Sequence, residues 1–253
     1  MYKPKNMSNN PFIKLFAAAA LLMTALSPTL TRADVQISIT PGAVIFPNTW
    51  SGENKDTGEK FSSSATNLGI NLKFQWRDLY TGISLAGSEY EFKTKDYSPA
   101  RPSAILPLND DPIKIKRNEF DLLIGYYVWD MVSLFVDLRS KSLTWSDDYV
   151  ITYAGLGGGV TGHYSFSSKW TIFGSLGASS LDIKSKERGY NERNIGDGVG
   201  TAAEFGVLFR MTKMLNLYGT LKSQRQEYRY DNNITEIHDI NGIKFGVSTV
   251  FSL

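Results

Sequence analysis

The sequence predicts an all-β fold, a single closed antiparallel β-barrel of about ten strands. Three observations carry that prediction. Apolar and polar residues alternate with period two along most of the chain after residue 33, as in strands with two unlike faces, and no comparable helical period appears there. The connections between strands alternate between tight turns and long polar loops. Aromatic residues gather beside the tight turns.

The elements follow in order. Lys3, Lys5 and Lys14 precede an apolar run from Leu15 to Leu26, and Thr31-Arg32-Ala33 ends it with a small residue. This is the layout of a secretory signal peptide cleaved after Ala33; an uncleaved anchor needs roughly 20 apolar residues to span a bilayer. The expected domains are therefore 1–33, signal peptide, and 34–253, barrel. Strands are expected at about 34 to 46, 67 to 77, 80 to 92, 118 to 129, 133 to 145, 149 to 166, 170 to 183, 198 to 211, 215 to 228 and 240 to 253. The first is interrupted by Pro41-Gly42. The second sets Leu68, Ile70, Leu72, Phe74 and Trp76 on one face and Asn71, Lys73, Gln75 and Arg77 on the other. The same alternation marks Phe120, Leu122, Ile124 and Tyr126, then Leu134, Val136 and Leu138, then Ala203, Phe205, Val207 and Phe209. It returns in Leu215, Leu217 and Leu221 and in Ile243, Phe245, Val247 and Phe251, whereas 170 to 183 has no clear face.

Arg77-Asp78-Leu79, Asp130-Met131-Val132, Ser167-Ser168-Lys169 and Thr212-Lys213-Met214 read as tight turns; 47 to 66, 93 to 117, 184 to 197 and 229 to 239 read as long loops. Trp76, Tyr80, Tyr126, Trp129, Tyr164, Trp170 and Phe209 flank the turns. Rings gathered at one level are what a membrane-water interface selects. Strands of ten residues or more, an even count, unequal ends and aromatic belts describe a transmembrane β-barrel. A bilayer offers no water to sheet edges, so the sheet must close. Over residues 34 to 253 the pattern resembles the small bacterial outer membrane β-barrel proteins. The resemblance implies periplasmic turns, extracellular loops and a setting of outer membrane lipid and lipopolysaccharide in a Gram-negative bacterium. It also implies recognition by the barrel assembly machinery through the C-terminal strand, where Phe251 is in phase but Leu253 replaces the usual terminal aromatic. A soluble lipocalin-type barrel also alternates, but needs neither the unequal ends nor the belts.

Zero Cys excludes a disulfide scaffold, a thiolate metal site, a Cys nucleophile and a lipidated N-terminal Cys. Lys and Arg number 27 against 25 Asp and Glu; removing Lys3, Lys5, Lys14 and Arg32 with the signal peptide leaves 23 bases and a slightly acidic chain. Such a balance excludes nucleic-acid binding by electrostatics alone. No cofactor motif is present. The glycines of YAGLGGGVTG are not a phosphate loop, since no Gly-Lys-Ser/Thr or strand-to-helix context accompanies them. Gly155, Gly157 and Gly159 share the inward face and suit a sheet that bends or carries a neighbouring side chain over its backbone.

With the apolar face toward lipid, the lumen receives Lys73, Arg77, Arg139, Lys141, Arg210, Lys222 and Lys244 against Glu119, Asp121, Asp137 and Glu204. Pairing Trp129 with Ser133 puts Asp121 opposite Lys141, and pairing Met211 with Leu215 puts Glu204 opposite Lys222. Cross-strand neighbours lie about 5 Å apart at Cβ. These residues, with Arg139, form either an ion-pair plug or the gate of a narrow, anion-favouring, porin-like solute channel. No catalytic residue is assigned. His163 and Ser165 resemble the His-x-Ser pair of lipid A deacylases, but sit at the turn end without an orienting acid. Asp110-Asp111 and His238-Asp239 invite comparison with omptin proteases, without matching their spacing. Calcium at Asp110, Asp111, Asp147 and Asp148 lacks a specific ligand spacing. The leading expectation is a non-enzymatic barrel with an occluded charged lumen, whose long loops meet a surface ligand.

Overall fold

The computed structural model describes residues 37–92, 112–145, 149–187 and 189–252. The expected signal peptide, most of the second long loop with Asp110-Asp111, and Asp147-Asp148 lie outside them. The strands are β1 (Ile37–Asn54), β2 (Lys60–Trp76), β3 (Leu79–Phe92), β4 (Ile113–Trp129), β5 (Val132–Trp145), β6 (Val150–Ser165), β7 (Trp170–Lys186), β8 (Arg193–Arg210), β9 (Leu215–Tyr230), β10 (Thr235–Thr249) and the two-residue β11 (Phe251–Ser252). Each of β1 to β9 pairs antiparallel with the next, and β10 and β11 pair back onto β1, closing the barrel. The expected ten-stranded barrel is therefore present, the tenth strand being broken at Val250 into β10 and β11.

Three of the expected long loops are mostly strand. β1 and β2 run on through 47–54 and 60–66, leaving a connection at 55–59; β7 and β8 leave 187–192, and β9 and β10 leave 231–234. The cause is a change in the surroundings of the sheet. Near the turns, the outward side chains are apolar: Leu68, Ile70, Leu72, Phe74 and Trp76 on β2 are all exposed. At a strand tilt of about 40° these five cover about 20 Å along the axis, near the roughly 25 Å of an outer membrane hydrocarbon girdle. Beyond it the outward residues of β2 become Lys60, Ser62, Ser64 and Thr66, and the buried inward ones include Phe61 and Ser63. The inward face is now the apolar one.

Every long strand makes this switch. On β5, Leu134, Val136 and Leu138 face out, but Leu143 and Trp145 face in; on β9, Leu217 and Leu221 face out, but Tyr228 and Tyr230 face in. β7, faceless in the sequence, places exposed Trp170 and Leu176 outside and buried Leu181 and Ile183 inside. The result is a water-facing collar of strand beyond the girdle, with Trp50, Phe61, Tyr90, Phe92, Ile115, Leu143, Ile151, Tyr153 and Tyr228 packed within it as one cluster.

At the turn end, Trp76, Trp129, Tyr164, Phe166 and Trp170 form the outer aromatic belt. Tyr80 departs from it. The first hairpin turn holds only Arg77 and Asp78, with Arg77 at a φ of 54°, so Leu79 faces out and Tyr80 turns into the lumen.

The inward glycines of β6 behave as expected. A Cβ on Gly159 would lie 2.0 Å from the Leu176 carbonyl oxygen and 2.8 Å from the Phe135 ring; on Gly157 it would lie 2.1 Å from an Asp137 carboxylate oxygen. Gly82, inward on β3, is unlike them, with nothing nearer than 3.9 Å. Gly159→Ala should therefore lower stability by about 2 to 3 kcal/mol through overpacking against backbone, and Gly82→Ala by less than about 0.5 kcal/mol. Urea unfolding in detergent micelles, followed by tryptophan fluorescence, measures both; equal effects would contradict the packing described.

Candidate functional site

The interior has two levels. The lower lies behind the apolar girdle and is polar. Directly opposite each other on β8 and β9, Glu204 and Lys222 pair as the sequence predicts, 3.7 Å apart. Lys244 of β10 adds a second, closer contact to the same carboxylate, 2.8 Å from Oε2. One acid thus serves two bases on neighbouring strands.

The other expected pair does not form. Asp121 stands opposite Arg139, and Lys141 opposite Glu119. The turn between β4 and β5 is two residues, flanked by Trp129 and Val132, and a bulge between Tyr127 and Trp129 absorbs an extra residue. Together they slide the register two positions from a Trp129–Ser133 pairing. Arg139 bonds Asp137 on its own strand, Nε to Oδ2 at 2.5 Å, and Asp121 has no salt bridge among the described residues. Glu119 pairs with Arg117, which belongs to β4 and not to the expected second long loop. Of the other three expected lumen bases, Lys73 is inward on β2, Arg77 lies in the turn and Arg210 is exposed at the turn end.

Glu119, Asp121, Asp137, Arg139, Glu204 and Lys222 bound a cavity of about 720 Å³. It runs from Gln75, Thr171 and Val250 near the turns up to Arg117, Lys141 and Gln226.

The upper level is the aromatic core, threaded by a chain of buried polar groups. Lys141 Nζ donates to Gln226 Oε1 at 3.1 Å and to the Tyr228 hydroxyl at 2.5 Å, and lies 4.0 Å from the Tyr153 ring centroid. The Tyr153 and Tyr230 hydroxyls are 3.1 Å apart. Tyr230 donates to Glu236 Oε2 at 3.4 Å, and His238 Nε2 lies 3.0 Å from the same oxygen. Trp50, Phe61 and Tyr228 box the His238 ring, with centroids at 5.5, 5.2 and 4.7 Å.

His238 was expected beside Asp239 in a loop. It is instead a fully buried inward residue of β10, and Asp239 points to the opposite face. The two do not form a dyad. No hydrogen bond joins His163 and Ser165 among the described residues: His163 packs edge-on against Tyr127, and Ser165 Oγ bonds Thr171 Oγ1 at 2.7 Å. Tyr153, Gln226, Tyr228, Tyr230, Glu236 and His238 went unrecognised as interior residues. The signal that marks them is the change in which alternate positions are apolar within one strand.

Beyond the girdle, burial pushes the Tyr228 and Tyr230 hydroxyls up, keeping them protonated donors. Burial also pushes His238 below the ordinary histidine value, outweighing the opposing pull of Glu236. The folded state therefore resists protonating His238, and the unfolded chain does not. The resulting stability is complete above the unfolded value of about 6.5 and is lost as pH falls below it. Urea midpoints in micelles should fall between pH 7 and pH 5 for the wild type, and less steeply for His238→Gln. Parallel slopes would remove His238 from the acid response.

No protein-family model matches the chain, and no curated protein matches it. Among solved structures, it is similar to the Escherichia coli outer membrane protease OmpT, with 10% identity over 89% of this chain and 100% of that one and a TM-score of 0.46. The β domain of the Bordetella autotransporter BrkA shares 12% identity over 85% and 100% of the two chains, with a TM-score of 0.41. The Pseudomonas putida toluene transporter TodX shares 9% over 87% and 90%, with a TM-score of 0.35. These likenesses are of barrel architecture alone.

Proposed function

We propose that this chain is an outer membrane β-barrel that neither conducts solutes nor catalyses a reaction, and that presents its polar collar and connecting loops as a recognition surface. The observation that carries this reading is the aromatic core filling the barrel beyond the girdle. Trp50, Tyr90, Phe92, Ile115, Leu143 and Tyr228 have no exposed surface, so a solute crossing from one end to the other meets packed side chains. The charged lumen lies below this seal and does not form it. Against catalysis, His238 is enclosed among rings, and among the described residues no hydrogen bond joins His163 to Ser165.

In the same reading, the segment to Ala33 is removed on export, the final strand is handed to the assembly machinery, and the girdle rests in outer membrane lipid with lipopolysaccharide at the collar. The collar presents Lys60, Lys114, Lys116, Arg225 and Arg229 outward on three strands, suiting an acidic or mixed-charge partner surface.

Single-channel recording in a planar bilayer tests the seal. Wild type and Glu204→Ala should both be silent, because removing the carboxylate leaves the core above it whole. Steady conductance in the wild type would make a narrow channel the better reading. For the recognition surface, replacing 93–112 and 187–192 by short turns should reduce binding of the displayed protein to cells by about tenfold, a loss of about 1.4 kcal/mol. Undiminished binding would remove the loops from the proposal.

A further inference from the structure

The lumen bases are not equivalent. Lys222 and Lys244 share Glu204, and Arg139 holds Asp137. Lys73, inward on β2, has no carboxylate within 4.0 Å among the described residues. Its Nζ lies instead over two rings, 4.6 Å from the centroid of Tyr80 and 5.8 Å from that of Tyr127. A cation on aromatic faces is partly stabilised, yet keeps its charge and its donors for a further partner.

The surroundings of Lys73 are built and open. Tyr80 lies over Gly125, where an added Cβ would be 2.2 Å from the ring, and its hydroxyl shares a 2.9 Å hydrogen bond with Ser133. Tyr127 is fixed between Tyr80 and His163, at centroid distances of 5.3 and 5.8 Å. On the strands flanking Lys73, Thr40 and Gly82 stand opposite it. Gly82 leaves free space where a side chain would be. Tyr80, Tyr127, Thr40, Gly82 and Lys73 all line the 720 Å³ cavity, a volume within the roughly 300 to 1,000 Å³ of small-molecule sites.

We propose that this chamber binds a small monoanionic carboxylate with an apolar body, anchored by Lys73 and entering from the turn end. Lys141 also lacks a carboxylate partner but is bonded to Gln226 and Tyr228, so Lys73 is the base left free, and one free base calls for one negative charge. A phosphate dianion would bring a second charge without a second free base, and would face the unpaired Asp121 across the same chamber. An apolar body follows from Leu123, Phe135, Phe173 and Leu208, which line the cavity with the polar groups. A simple inorganic anion would leave that surface unmatched. Entry lies at the turn end because the aromatic core closes the other.

The test uses the full barrel, refolded in zwitterionic micelles, with 4-(trifluoromethyl)benzoate as probe read by fluorine NMR and empty micelles as the blank. Saturable binding above the blank is expected. Lys73→Gln should weaken it about tenfold, as loss of a charge-assisted hydrogen bond does. Gly82→Leu, which keeps the lysine and fills the space beside it, should weaken it by at least as much, and decides the matter if Lys73→Gln does not fold. Lys213→Gln, exposed in the turn between β8 and β9, should change nothing. The neutral 4-(trifluoromethyl)benzyl alcohol should bind about tenfold more weakly than the benzoate. No saturable binding, a folded Lys73→Gln or Gly82→Leu variant that binds as the wild type does, or alcohol binding equal to the carboxylate's would each overturn the proposal. None of these results bears on the seal, which the conductance measurement reads separately.

Discussion

Side chains on a β-strand alternate strictly between two faces, and that alternation cannot pause while the surroundings change. A barrel wall running out of hydrocarbon into water must therefore exchange its faces: where lipid ends, the apolar residues have to move inside. In this chain the exchange is made on every long strand. Below it, the exterior supplies the apolar surface, so the interior is free to be polar, to carry ion pairs and to hold a cavity. Above it, the exterior must be hydrophilic and the interior becomes a core of the kind found in water-soluble proteins. The lumen ion pairs, the sealed end and the open chamber are three results of one switch.

The two interiors are stabilised differently. In the collar, each large buried side chain contributes about 1.5 to 3 kcal/mol of hydrophobic stabilisation relative to exposure. Behind the girdle, polar side chains have left water for a confined lumen, and must find partners there. Glu204 meets this by serving both Lys222 and Lys244. The polar chain from Lys141 to His238 is the point where the two regimes meet: an amine at its lower end, hydroxyls in the middle, and a buried imidazole at the top. A connected network of this kind is rigid when complete and costly when broken.

The sequence made the strand count, closure, belt and inward glycines readable, because each rests on a short-range pattern. Registers were readable only as far as their turns. The link from β8 to β9 is regular, so Glu204 faces Lys222 as counted from Met211 and Leu215. The link from β4 to β5 hides an extra residue between Tyr127 and Trp129, and one such residue moves every later partner. The strand within the expected long loops is hidden for a different reason. Serine, lysine and glutamate at alternate positions look like loop when strands are sought by an apolar outer face. Phe61, Tyr90, Tyr228 and Tyr230 at the intervening positions show the same period with opposite phase. The site at Lys73 could not be found by counting charges, because what distinguishes it is the partner it lacks.

The closing seam separates one strand contact from all the others. Nine of the interfaces join strands that follow each other along the chain, so each can form as a hairpin extending its predecessor. The tenth brings Ser38 beside Ser252 and Ile39 beside Phe251, linking the two extremities of the described barrel. That contact must close a loop of nearly the whole chain, the largest entropic outlay of any pairing here. Until it forms, β1 and β10 are bare edges with unsatisfied backbone. Folding is therefore a string of local additions followed by one distant joining, and the short β11 after Val250 lies at the seam where that joining is completed.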